Sequence, residues 1–253
     1  MRKKTFLTVL LTALIFISAT VLALTTVYRV SAVTLEISAI SEEAKTEAAT
    51  LEKEIASKYK GKNIFSVNDR VAKTVFEEYP HFRITAFKKS YPNRLVIQAS
   101  EDAEVYAVKT QTGYRILGAD GVILCDRENA TNRSDGHDNV ILSGVEAIGE
   151  KGNIPKDEYF RLTMAFCMAF DQKSDGIRNN VLSVTLEKPT SNDEYAYIRL
   201  TFREGAEAVV YAPLTNTEEK AENLYAYYVG LPTENKMSGT VYVSDAGECH
   251  FEP

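Results

Sequence analysis

The chain has 253 residues, 45% of them hydrophobic and 25% charged, which is length enough for one or two compact domains and excludes disorder throughout. Its formal net charge of -6 is spread without a basic block, so the electrostatic footprint of a nucleic-acid-binding surface is missing. Cys125, Cys167 and Cys249 form no C-x-x-C pair, which removes zinc-ribbon and thioredoxin-type readings and leaves them as small buried hydrophobes.

At the N-terminus, residues Phe6 to Val27 carry no charge and are dominated by Leu, Ile, Val, Ala and Phe. A run of that length meets the roughly 20 helical residues needed to cross a hydrocarbon core, so the hydropathy predicts a transmembrane helix over 6–27. Arg2, Lys3 and Lys4 precede it, and positive charge is retained on the cytoplasmic side. The expected topology is therefore a cytoplasmic tail over 1–5 and an extracytoplasmic remainder. A cleaved signal peptide ending near Val21-Leu22-Ala23 is the rival; the apolar run past Ala23 favours an uncleaved anchor.

Tyr28 to Ser38 alternate and are rich in Val, Thr, Leu and Ile, as a strand requires. Ser41 then offers an N-cap, with Glu42 and Glu43 in the first turn and Lys58, Lys60 and Gly61 at the far end. A helix from about Glu42 to Tyr59 follows, its stripe of Ala44, Ala48, Leu51, Ile55 and Tyr59 facing a sheet. A shorter helix over Asn68 to Tyr79 presents Val71, Val75, Phe76 and Tyr79, and Pro80 ends it. The period then changes to two: Phe82, Ile84 and Ala86 alternate, Tyr91-Pro92-Asn93 turns, and Leu95, Ile97 and Ala99 return.

From Val105 onward short strands recur, interrupted by helices over Lys156 to Phe170 and Thr217 to Val229. One of those strands is read over Tyr195 to Phe202. The last predicted strand is Thr240 to Ser244. Asp126 to Asn139 is polar and reads as a long exposed loop; its acidic oxygens lack the D-x-[DN]-x-[DN]-G order of a calcium loop.

Motifs for catalysis are incomplete. His81, His137 and His250 are scattered, with no G-x-S-x-G elbow and no H-E-x-x-H. Gly144 to Lys151 fails as a phosphate loop because Glu150 stands where a lysine must reach the phosphates. Ser57-Lys58-Tyr59-Lys60 satisfies S-x-x-K, but S-D-N and K-T-G are missing and the segment ends an amphipathic helix. No cofactor or metal site is read, and the expectation is a protein that binds rather than catalyses.

Several motifs stand collinear: Gly61-Lys62-Asn63-Ile64-Phe65, Tyr79-Pro80, Pro92-Asn93-Arg94-Leu95-Val96-Ile97 with Glu101, and Gly113-Tyr114-Arg115-Ile116-Leu117 followed by Asp120-Gly121-Val122. In them the chain resembles the FtsQ/DivIB cell-division family. The likeness covers residues 28–125 best, and the closing Ser238 to Ser244 is similar to the end of clostridial members. It departs from the family in lacking a V-x-G-N turn after the first strand, in Glu101-Asp102-Ala103-Glu104-Val105 where E-R-x-P-V is usual, and in Gly118 where the family has Asp.

The resemblance implies an α+β architecture: a single N-terminal transmembrane helix, a β-α-α-β-β POTRA domain over 28–103, then a mixed or antiparallel β domain with flanking helices over 104–253. It implies a divisome scaffold at the septal membrane, with partners like FtsL and FtsB/DivIC and a septal penicillin-binding protein. Gly61, Asn63, Ile64, Phe65, Pro80, Pro92, Leu95, Ile97, Glu101 and Gly121 are its structural motif residues. If the partner edge lies at the closing strand, Thr240, Val241, Tyr242, Val243 and Ser244 bind the partner by strand addition. A cell-wall enzyme or peptidoglycan-binding sensor of similar topology is the alternative.

Overall fold

The computed structural model describes residues 2–188 and 196–253, together with their side chains except those of 2–5, 23, 24 and 43. The chain forms two compact units, Met1–Glu101 and Asp102–Pro253. Tyr195, read as the start of a strand, and Met1 lie outside the described residues.

The first unit contains α1 (Arg2–Thr26), β1 (Ala32–Ser38), α2 (Glu42–Tyr59), α3 (Arg70–Phe76), β2 (Phe82–Ser90) and β3 (Arg94–Glu101). The transmembrane expectation for 6–27 is corrected here. Among the described residues no helix is long and apolar enough to cross a membrane. A helix does form over the apolar run, as α1.

After α1 the order is strand, helix, helix, strand, strand, in a sheet ordered β1-β3-β2. Strand β3 sits centrally, parallel to β1 and antiparallel to β2. Its alternation puts Leu95, Ile97 and Ala99 on the covered face, where the α2 stripe Ala44, Leu51, Ile55 and Tyr59 is also buried. Burying each large aliphatic side chain contributes about 1.5–3 kcal/mol. The Tyr59 hydroxyl donates to the Asn68 carbonyl (2.6 Å) and accepts from the Ala72 N–H (2.8 Å), tying α2 to the start of α3. Helix α3 is shorter than the apolar pattern over 68–79 suggests, because Glu77 and Glu78 continue only as a turn before Tyr79 and Pro80.

The second unit holds β4 (Glu104–Lys109), β5 (Tyr114–Gly118), β6 (Ile123–Arg127), β7 (Val140–Ser143), α4 (Glu158–Lys173), α5 (Ile177–Asn180), β8 (Val181–Glu187), β9 (Tyr197–Phe202), β10 (Glu207–Tyr211), α6 (Thr217–Gly230), α7 (Thr233–Lys236), β11 (Thr240–Val243) and β12 (Cys249–Glu252). Its nine strands form one mixed sheet ordered β12-β11-β10-β9-β8-β7-β4-β5-β6. Parallel neighbours need crossovers rather than hairpins. The pairs β7·β8 and β10·β11 are parallel, and α4 with α5 and α6 with α7 lie in the two connections. Phe160, Phe166 and Phe170 of α4 and Leu224 and Tyr228 of α6 enter the core shared with the sheet, and Phe202 stacks on Tyr228 at 3.7 Å. The architecture is thus α+β, with two sheets and seven helices among the described residues.

Within the stretch read as a loop, Thr131 bridges Asp138, and buried Glu104 receives Arg127 (2.5 and 2.9 Å) and the Arg133 N–H (3.1 Å). The segment is therefore pinned by a desolvated carboxylate with charged partners.

Candidate functional site

The expected partner strand Thr240 to Ser244 is not an edge. Strand β11 pairs in parallel with β10 on one side and antiparallel with β12 on the other. Its residue parity follows from two bonds just beyond its ends. The Glu207 N–H donates to the Gly239 carbonyl, so odd-numbered residues of β11 turn their backbone groups toward β10. The Ser244 N–H donates to the Glu248 carbonyl, so even-numbered residues turn theirs toward β12. Val241 and Val243 are fully buried, Thr240 and Tyr242 are half-buried on the opposite face, and Ser244 lies in the turn, its Oγ accepting from the Glu248 N–H. The reading of these five residues as a free docking edge is corrected on that ground: their main-chain groups are already taken.

At this end of the nine-stranded sheet the edge strand among the described residues is β12. Register pairs His250 with Tyr242 and Glu252 with Thr240, so the backbone groups of these two residues face β11. By the same alternation, Cys249 and Phe251 turn their N–H and C=O outward. Their side chains pack on the core, while His250 stacks on the Tyr242 ring (5.1 Å) on the other face. Along that face Arg199, Val209, Tyr242 and His250 stand in register as a row crossing four strands.

Beside this edge lies a groove of about 430 Å³, walled by Glu219, Asn223 and Tyr227 of α6 and by the turn Ala246 to Cys249. Two contacts hold its walls. The Asn223 amide donates to the Gly247 carbonyl (3.1 Å). Buried Lys220 donates to the carbonyls of Tyr211 and Ala212 (2.8 Å each), where β10 ends and Ala212 takes a positive φ of 44°. Burial lowers the Lys220 pKa, an effect the nearby Asp245 charge opposes. Burial also pushes the Cys249 thiol up, and with it the Cys125 and Cys167 thiols; all three are free.

Of the other strand edges, those of β6 and β2 are guarded, and β1 is the remaining edge. At β6, Ile123 donates to Asn153 and accepts from Gly152, so a loop covers that margin. Strand β2 carries Arg83, Lys88 and Lys89 and a register break between Ile84 and Ala86, the charges and bulge that protect an edge from pairing.

The motif residues divide by their place in the fold. Gly61 (φ +82°), Asn63, Ile64, Phe65 and Pro92 gather at one end of the small sheet: the Ile64 N–H donates to Tyr28, the Asn63 side chain accepts from the Phe65 N–H, and Phe65 packs against Tyr28 and Tyr91. Leu95 and Ile97 are core, and Pro80 follows the turn after α3. Glu101 is a buried clasp at the opposite end, accepting from the Ile40 N–H (2.6 Å), the Ser41 N–H (2.9 Å) and the Ser41 hydroxyl (2.7 Å). Gly121 (φ +78°) lies in the second unit against Met164 and Phe160.

Sequence reasoning missed Cys249, His250, Phe251 and Glu252. The turn Asp245-Ala246-Gly247 after the predicted strand was the available signal. Among the described residues no group of three or more His, Cys, Asp or Glu is placed to hold a metal ion. No protein-family model matches the chain, and no curated protein is significantly similar to it in sequence.

Proposed function

We propose that the protein is a non-enzymatic scaffold that captures an extended segment of another protein by strand addition on β12. The observation that carries this reading is the outward-turned backbone of Cys249 and Phe251 beside the α6 groove. An unpaired edge supplies register through main-chain bonds, and a neighbouring groove selects side chains. The FtsQ/DivIB-like motifs support assigning it to the division machinery, with FtsL-like and FtsB/DivIC-like segments as partners and septal cell-wall synthesis as the process served.

Proline tests the edge directly, because it lacks the N–H and is tolerated where that group faces away from the sheet. Cys249→Pro and Phe251→Pro should each fold yet weaken capture of a DivIC-like segment several-fold, since each removes one main-chain bond worth about 0.5–1.5 kcal/mol. Phe251→Ala controls for side-chain packing. Capture at wild-type yield by both folded proline variants would refute docking at β12.

A further inference from the structure

The chain is acidic overall, at -6, but its fold assembles a basic aromatic surface from three separated segments. Residues 28–31, 60–65 and 89–94 converge at one end of the small sheet. The Val30 N–H donates to Lys62, Gly61 to Val30, Ile64 to Tyr28 and Ser31 to Asn93. There Phe65 and Tyr91 are 53% and 57% exposed, and Phe65 stacks on Tyr91 (5.4 Å) and meets Tyr28 at a tilt (5.0 Å). Exposed aromatics this close together form a patch rather than scattered apolar residues.

Around it stand Arg29, Lys60, Lys62, Lys89 and Arg94, and none of them makes an ion pair among the described residues. The three segments contain no Asp or Glu, and the next acid along the chain, Asp69, is engaged by Lys73 at 2.6 Å. Cations ringing amphipathic aromatic rings match an anionic lipid surface, where Tyr rings lodge at the headgroup level and each nearby Lys or Arg contributes about 1 kcal/mol. Helix α1 decides against nucleic acid as the occupant. It enters this end of the unit through the Arg29 N–H to Thr26 bond, and its apolar side chains, Phe6 and Phe16 among them, are exposed. Lipid accepts both apolar side chains and cations, whereas a polynucleotide offers the apolar ones nothing.

We infer that this face of the first unit docks on an anionic lipid surface through Phe65 and Tyr91, with Lys60, Lys62 and Arg94 as its electrostatic contacts.

The chain contains no Trp, so Phe65→Trp gives the full-length protein a single indole reporter. With phosphatidylglycerol vesicles carrying brominated acyl chains, the emission of the F65W variant should shift to the blue and be quenched; phosphatidylcholine vesicles should do this far less. A separate Ile40→Trp variant, with its indole exposed beyond the other end of β1, should stay unquenched. Replacing Lys60, Lys62 and Arg94 by Gln in the F65W protein should weaken partitioning about a hundredfold, with each single change costing about fivefold. These side chains are exposed, so a wild-type denaturation midpoint checks that the variants fold. Equal quenching of F65W by the two lipids, equal quenching of the I40W variant, indifference to the three Gln substitutions, or an F65W response to duplex DNA in place of vesicles would each overturn the inference.

Discussion

Replacing Glu101 by Ala should destabilise the first unit while leaving the second intact. Its carboxylate sits 7% exposed and receives the Ile40 and Ser41 N–H groups and the Ser41 hydroxyl at 2.6–2.9 Å, while Ser41 itself caps α2 by accepting from Ala44 (3.2 Å). Each charge-assisted bond taken singly is worth about 1.5–3 kcal/mol net. The three converge on one group and are not additive, so a combined loss of about 3–4 kcal/mol is expected. Glu101→Gln keeps an acceptor for the two N–H groups and lets the amide donate to Ser41, so it should lose about half as much. Urea denaturation gives the total, and amide exchange localises it: protection should fall in α2 and β3 and persist across the nine-stranded sheet. A loss below about 1 kcal/mol for Glu101→Ala, or uniform deprotection of both units, would refute the clasp.

Lys220→Met should remove a pH-dependent term. Burial lowers the lysine's folded pKa below its ordinary 10.5, so between the two values the unfolded chain binds more protons, and wild-type stability gains from this group as pH rises through that window. The stability difference, Met variant minus wild type, should therefore shift in favour of wild type toward pH 10.5; a difference independent of pH would oppose it. Taking the difference cancels Tyr228, whose pKa, raised by burial and by Glu204, makes stability fall above pH 10 in both proteins. Two glycines with nearly the same φ, +75° and +74°, should separate in melting experiments. Gly136→Ala meets no neighbour and should cost about 1–2 kcal/mol of left-handed strain, whereas Gly144→Ala drives its Cβ into the Leu186 carbonyl and should cost about 3 kcal/mol or more. Equal melting temperatures would refute that distinction.

What was legible in the sequence was periodic and local. The stripe Ala44, Leu51, Ile55 and Tyr59 recurs at helical spacing and Ser41 is a strong cap, so α2 lies where the pattern places it. Phe82 to Ala99 alternates, and β2 and β3 follow. Strand β12 escaped because four residues provide only two inward side chains, Cys249 and Phe251, too few to register as alternation. Lys220 reads as one more wet lysine on a polar helix; only the end of β10, far from it in pairing though near in sequence, supplies the carbonyls that bury it. The hydropathy run over 6–27 did mark a helix, but hydropathy alone does not establish a span.

Edge status is the least local of these properties, and it governs what a mutation at the site reports. Whether a residue's N–H is free depends on both neighbouring strands, so no inspection of Thr240 to Ser244 alone could have shown that β10 and β12 consume alternate residues. A proline at Val241 or Val243 would break the bond to β10, and one at His250 would break the bond to β11. Either would detach the edge itself, so lost capture in such a variant would say nothing about docking. Only Cys249 and Phe251 separate the two effects, because their backbone groups point away from the sheet while their side chains hold β12 against its core.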